Sequence, residues 1–326
     1  MEHGELMAHL DRLLRETYSL WDPGWVSFNW RNYTYDHVQR VRGLAVTLAT
    51  REGGDPLVAE LAAQLHDITK PYDGEYLTGP DGQRLVDEHG RWRNALRPPA
   101  RANVVTRLYD ELGLAGTLHS ESGAAVARQL LACYGVAEAV IEQVAQTILD
   151  HLGPDAAAPI ESRCLYDADT IDANIGLPAL VRNIYIQLHF YDARRSPGEP
   201  PIAETLASDP LRFLRPYIGE NLPRWAGGKR QDFIPRLTTA AGRELAGARL
   251  DRLQGAIAWL AASLDDNAAR ADHSGTDLIL HYMRHADDPS LWAETQWLIQ
   301  TWTAPHTPPQ TMALLTQLRD EMRGVI

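Results

Sequence analysis

Leu65-His66-Asp67-Ile68-Thr69-Lys70 sets an imidazole beside a carboxylate at the end of the apolar run Leu57-Val58-Ala59-Glu60-Leu61-Ala62-Ala63-Gln64-Leu65. Apolar residues recur in that run at helical spacing, which predicts a largely buried helix. A His and an Asp therefore emerge together from a core helix. Adjacent helical residues project about 100 degrees apart, so one ion lying over the helix can take a ligand from each. A surface ion pair would need no such apolar lead-in.

Working outward, Tyr35 opens a helix whose core face carries His37, Val41, Leu44 and Leu48 and which ends at Arg51-Glu52-Gly53-Gly54. Downstream, helical periodicity covers 104–113 and 119–134; His119 stands at the start of the second run, with Ser120 as its expected cap. In 136–152, Val140, Val144, Ile148 and His151 fall at steps of four, four and three, so His151 shares the buried face. Past the loop from Gly153 to Pro159, the stretch Tyr166-Asp167-Ala168-Asp169-Thr170-Ile171-Asp172 puts Asp169 and Asp172 on one face of a further helix. Taken singly, each of these polar residues reads as a hydrogen-bonded core or boundary side chain. Taken together, burying them without partners would cost several kcal/mol, and a divalent cation satisfies all of them at once.

Between the second and third of these segments the helical rhythm breaks. Glu75-Tyr76-Leu77-Thr78 and Gln83-Arg84-Leu85-Val86 flank Gly79-Pro80-Asp81-Gly82 and predict a small hairpin, followed by Gly90-Arg91-Trp92-Arg93 and the Pro98-Pro99 pair. Arg91, Arg93 and Arg97 either supply charge to an anion or decorate a solvated loop. At the start of the chain a helix over 5–20 leads through the turn Trp21-Asp22-Pro23-Gly24-Trp25 to Phe28, Trp30, Tyr33 and Tyr35. This aromatic stretch is either a lid over a site or ordinary hydrophobic cover.

At 326 residues, 44% hydrophobic and 23% charged, the chain is large enough for one large or two modest domains with a substantial core. Its formal charge of −12 argues against a nucleic acid polymer or an anionic membrane as partner, and a small anionic substrate would need local cations or a metal. The two cysteines, Cys133 and Cys164, lack paired spacing, which suits a reducing cytoplasmic compartment. No continuous apolar leader and no stretch of membrane-spanning length is present, so a cytoplasmic location is expected.

In this order, Tyr35-Asp36-His37-Val38-Gln39-Arg40-Val41, Leu65-His66-Asp67-Ile68-Thr69-Lys70 and Asp167-Ala168-Asp169-Thr170-Ile171-Asp172 resemble the HD superfamily of metal-dependent phosphohydrolases. His119-Ser120 and Ile148-Leu149-Asp150-His151 look like the extra histidine positions of its two-metal members. The resemblance covers roughly residues 33–195. It implies an all-α fold, with an HD-domain helical bundle over 1–195; the turn signals and periodicity add a small hairpin insertion at about 72–103 and an appended helical region over 196–326. The long insertion departs from the family pattern, and the resemblance does not extend past about 196.

The resemblance further implies that His37, His66, Asp67 and Asp169 hold one metal, and that His119 and His151 hold a second with Asp67 bridging. Mixed imidazole and carboxylate ligation suits Mn, Fe, Co, Ni or Zn better than Mg, so the expected cofactor is a divalent transition metal, as one or two ions. The implied chemistry is hydrolysis of a phosphate monoester, diester or pyrophosphate by metal-activated water, with Asp67 and Lys70 catalytic and a small phosphorylated molecule, above all a nucleotide, as substrate. Lys70 either reaches the phosphoryl oxygens or serves as a cation at a helix C-terminus. Arg40, one turn beyond His37, binds substrate or forms an exposed salt bridge; Arg182, on the helix over 177–188, binds phosphate or forms a structural pair. Asp172 either orients a ligand or pairs locally. Two other readings stay open: a diiron branch with the same ligands that cleaves a C–C or C–P bond with O2, and a binding module whose metal serves folding alone.

Arg194-Arg195-Ser196-Pro197-Gly198-Glu199-Pro200-Pro201 marks a linker or surface crossing. Helices are expected near 203–217, 238–265, 274–285, 290–302 and 309–323, without internal repeats. His281 and His285 have the i, i+4 spacing of a helical metal pair but no third ligand nearby in sequence. Trp259, Trp292, Trp297 and Trp302 are expected to pack this region onto the first domain or onto a second subunit, as in a homodimer.

Overall fold

The protein is described from a computed structural model, over residues 2–24, 26, 30–88, 90–264, 272–284, 290–302 and 307–324. Trp25, Phe28 and His285 lie outside the described residues. The fold is all-α with one small two-stranded sheet, and the chain divides into two compact units, Met1–Asp169 and Thr170–Ile326. Among the described residues no helix is long and apolar enough to cross a membrane.

The first unit contains α1 (His3–Tyr18), α2 (Arg31–Glu52), α3 (Pro56–Leu65), α4 (Val104–Glu111), α5 (His119–Cys133), α6 (Glu138–Asp150) and most of α7 (Ile160–Asn174). Gly53 ends α2 in the left-handed conformation at φ 77°, where a side chain would be strained. Asp55 then starts α3 by accepting the Leu57 amide at 2.8 Å, with Pro56 in the first turn where its missing N–H costs nothing. The apolar residues Val58, Ala59, Leu61, Ala62, Ala63 and Leu65 are all buried. α3 packs against α2 and α6, and α5 lies along α6. At the crossing of α5 with the end of α3, Gly123 comes so close that a Cβ there would sit 3.1 Å from the His66 carbonyl oxygen.

The N-cap of α5 is Leu118, and no side chain caps it; Ser120, expected in that role, is buried inside the first turn. The insertion also differs from the expected hairpin. Regular strands form between β1 (Asp73–Tyr76) and β2 (Asn94–Leu96), antiparallel, while the turn at 79–82 is flanked by an isolated bridge from Thr78 to Arg84 in place of paired strands, with Gly79 donating to the Gln83 carbonyl at 2.8 Å. Leu77 donates to the Arg93 carbonyl and accepts from Leu85, so the 91–96 segment takes the backbone edge that a plain hairpin would leave open. The Arg84 guanidinium lies 3.8 Å over the Tyr76 ring and 4.1 Å over Trp92, bracing the three segments.

The second unit comprises α8 (Leu177–Arg194), α9 (Ile202–Ser208), α10 (Pro210–Pro216), a π-helical turn (Tyr217–Asn221), α11 (Leu222–Asp232), α12 (Ala240–Ser263), α13 (Gly275–Arg284), α14 (Leu291–Thr301) and α15 (Pro309–Met322). Its core gathers α8, α12, α13 and α15. The buried Glu321 ties α15 to α8 and α12: its carboxylate accepts from the Leu177 amide at 2.8 Å and Arg252 Nε at 3.0 Å, and its carbonyl accepts from Arg249 at 2.8 Å. The helix expected over 203–217 is broken at Asp209-Pro210, because Pro210 cannot donate to the preceding turn and Asp209 accepts the Arg212 amide instead. His281 is no half of a metal pair among the described residues: its Nε2 is 2.8 Å from Glu294 Oε2 and its ring stacks on Trp297 at 5.2 Å. Trp302 is buried, whereas Trp292 and Trp297 are exposed.

Candidate metal centre

Three histidines are fixed by their Nδ1 atoms, two on backbone carbonyls and one on a carboxylate. His66 follows the last residue of α3 and places Nδ1 2.7 Å from the Ala63 carbonyl; His151 follows α6 and does the same with Ile148 at 2.6 Å. His119, the first residue of α5, sets Nδ1 2.8 Å from Asp73 Oδ2 on β1. A carbonyl or carboxylate partner only accepts, so Nδ1 carries the proton and Nε2 keeps its lone pair. The three Nε2 atoms turn inward and, although buried, have no hydrogen-bond partner.

Asp67, fully buried, stands at the centre of these atoms. Its Oδ2 lies 3.5 Å from His66 Nε2 and 3.9 Å from His37 Nε2; its Oδ1, itself without a hydrogen bond, lies 3.6 Å from His119 Nε2 and 3.9 Å from His151 Nε2. Asp169, on α7, brings Oδ1 to 3.0 Å from His37 Nε2. Two ligands held about 2.1 Å from one ion are roughly 3.0–4.2 Å apart, depending on the angle between them. The observed separations fall in that interval; the four around Asp67 are too long for good hydrogen bonds, whereas His37 and Asp169 also share one. The donors form two groups, His37 with His66 and Asp67, and Asp67 with His119 and His151, each with its ligand atoms within 4.8 Å of one another. Buried lone pairs facing one another with no proton between them fit a divalent cation, and the shared carboxylate fits two.

The family model of the HD domain matches residues 34–174. Those residues are an HD domain. No curated protein matches the chain. Similar solved structures include a predicted HD superfamily hydrolase from an uncultured Thermotogales bacterium, at 23% identity and a TM-score of 0.36, covering 69% of this chain and 99% of that one. Bacillus subtilis YpgQ gives 19% identity and a TM-score of 0.37, covering 79% of this chain and 97% of its own. The same protein in complex with ADP gives 18% and 0.39, covering 82% and 98%.

Within the HD domain the charges oppose desolvation. Burial disfavours the Asp67 carboxylate, yet its pKa is held well below the ordinary range, with the Lys70 ammonium 2.7 Å from Oδ2 supplying the opposing charge. Burial, with a smaller push from His37, presses His66 down, and burial presses His151 down to about 3, with His66 and His119 adding to the effect on His151. These two imidazoles are therefore neutral and ready to ligate. Burial also presses on His119, but Asp73 outweighs it and raises that pKa. The loop after α3 is locked from both sides: the Tyr18 hydroxyl donates to the Asp67 carbonyl at 2.8 Å, and Thr69 Oγ1 lies 2.8 Å from Ser122 Oγ.

Not every residue singled out by sequence joins this group. Arg40 is buried, with its guanidinium 4.9 Å over the Tyr33 ring, so the exposed salt bridge is excluded. Arg182 belongs to the second unit, on α8, with Nη1 3.5 Å from the Ala173 carbonyl, and Asp172 is a buried residue of the same unit. Lys70 lies in a short 3-10 turn past the end of α3, not in the helix. Asp73 was not recognisable as a partner of the site. A cleft beside Lys70 and Asp73 is also lined by Trp21, Trp30, Arg31 and Arg97, which gives the N-terminal aromatic stretch and one insertion arginine a place next to the centre.

Proposed function

We propose that this HD domain is a phosphohydrolase that acts on a small phosphorylated molecule, a nucleotide foremost, with two divalent transition-metal ions. The observation that carries the reading is Asp67, whose two oxygens face two different sets of histidines. His37, His66, Asp67 and Asp169 would hold one ion, and Asp67, His119 and His151 the other. When bound, such ions lower the pKa of water to near neutrality and offset negative charge on phosphoryl oxygens. The protein's own part is to orient and to neutralise. Asp67 keeps its charge at neutral pH, against the cost of burial, because the Lys70 ammonium 2.7 Å from Oδ2 favours it. Lys70 lines the cleft as well as pairing with Asp67, so its ammonium is placed to meet a substrate oxygen. Arg31 and Arg97 add positive charge to the cleft, and Trp21 and Trp30 add ring surface; a phosphate ester carrying a planar base matches that combination.

The test is to purify the protein without added metal, measure which metals it carries and how many, and screen nucleotides and phosphonates with and without oxygen. Two transition-metal ions per chain and phosphate or pyrophosphate release that is indifferent to oxygen are expected. Oxygen consumption with bond cleavage and no hydrolysis would replace the proposal with the diiron oxygenase. Asp67→Ala should abolish metal binding and turnover together, and full metal content in that variant would overturn the ligand assignment.

A further inference from the structure

The second unit has a cleft of about 380 Å³ between the end of α8 and the segment from α9 through the π-helical turn, a size at which small-molecule sites begin. One wall is aromatic. Phe213 stacks on Tyr217 with centroids 5.4 Å apart and meets Tyr191 edge-on at 5.5 Å, and Phe190 carries the Arg194 guanidinium 4.6 Å above its ring. The rim is cationic, with Arg194, Arg195 and Arg212 against the single carboxylate of Glu199. In a chain of net charge −12 this is a local reversal of sign.

Two of the three guanidiniums are not committed to carboxylates. Arg195 is, through Asp192 at 3.9 Å, and it also donates to the Glu199 carbonyl. Arg194 has only its ring contact, and the Arg212 side chain has no hydrogen bond or ion pair among the described residues. Independently, Thr205 lines the cleft with its hydroxyl buried and without a partner, although a buried hydroxyl ordinarily finds one. Packing alone accounts for stacked rings, but not for the unsatisfied hydroxyl of Thr205 in the same cleft.

We propose that this cleft is a nucleotide-binding site that needs no metal ion, with the base against the Tyr191–Phe213 wall and the phosphates on Arg194 and Arg212. Rings tolerate any base, and planar guanidiniums suit phosphate oxygens. The proposal is independent of the metal-centre reading, since all the residues it uses lie between 190 and 217 of the second unit.

The experiment uses the full chain, stripped of metal and held in excess chelator, with ATP, GTP, CTP and UTP as probes in calorimetric titrations, and inorganic tripolyphosphate and adenosine as separate arms. Expected are one nucleotide per chain, affinity lowered about tenfold or more by either Arg194→Ala or Arg212→Ala, and a Phe213→Leu loss that affects nucleotide but not tripolyphosphate. Arg194 and Arg212 are exposed, so their variants should fold, and circular dichroism checks this. No binding of any of the four nucleotides would overturn the proposal. So would binding unaffected by both arginine variants, which would move it to the cleft beside Lys70. Tripolyphosphate bound as tightly as ATP would reduce the cleft to a polyanion site and overturn the base subsite.

Discussion

Asp67 can bridge only if both histidine pairs hold still, and the means of holding them differ. His66 and His151 are anchored on carbonyls of their own helices, whereas His119 depends on Asp73, which lies 46 residues away in sequence. A carboxylate behind a ligating imidazole both aims it and makes it a stronger donor, and losing such a partner typically weakens metal binding about 10–100-fold. Asp73→Ala should therefore lower metal content from two ions towards one, as His119→Ala and His151→Ala should, while the ion at His37 and His66 stays. Equal loss of both ions in Asp73→Ala, or none, would tell against separate anchoring. A second expectation concerns the thiols. Cys133 is exposed, while burial, helped by Asp167, pushes Cys164 up to about 12. A chromogenic thiol reagent should titrate one group in the folded chain and two after denaturation; two in the native protein would mean that α7 opens readily.

Close contacts between elements set how precisely those ligands are placed. α5 can deliver His119 only because Gly123 lets it rest on the end of α3, and the group it meets is backbone, which yields little. Gly123→Ala should cost about 1–3 kcal/mol in chemical denaturation and loosen the ion at His119 and His151; unchanged stability would show that the two elements can part freely. In the second unit, α11 buries Lys229 between Trp225 at 4.7 Å and Phe233 at 4.4 Å, and burial, then Arg182, lowers its pKa to about 8. The unfolded chain, with the ordinary lysine value, binds more protons than the folded one between about pH 8 and 10.5, so stability should rise with pH across that window. Relative to Lys229→Met, the wild type should gain on the order of 2 kcal/mol between about pH 8 and 10; a constant difference would refute the shift. The elements that sequence reveals best are those with an uninterrupted apolar stripe: α2, α3, α5 and α6 are all legible, and with them His37, His66, His119 and His151. α11 was not, because Pro223 and the Gly227-Gly228 pair mask its period, and the break at Asp209-Pro210 was lost inside a longer periodic run. Asp73 escaped for another reason: its partner is chosen by tertiary contact between β1 and α5, and no local spacing encodes that.

At the scale of the whole molecule, the formal charge of −12 leaves a phosphorylated ligand only local attractions, which the two clefts supply by different means. All six candidate ligands, from His37 to Asp169, fall in the unit Met1–Asp169, and none in Thr170–Ile326. An ion that binds only the folded centre stabilises it by RT ln(1 + [L]/Kd), about 2.7 kcal/mol at a free concentration one hundred times Kd. Removing the ions should also expose the cost of gathering several buried lone pairs around one carboxylate. Chelation should thus lower the unfolding temperature of the first unit by several degrees and leave that of the second nearly unchanged. Scanning calorimetry with and without chelator, with tryptophan and far-ultraviolet signals recorded in parallel, checks this. Replacing Asp67 with Ala should reproduce the chelated trace and make it insensitive to added metal. Equal displacement of every transition, or none in the first unit, would mean that the ions do not hold that unit's fold together.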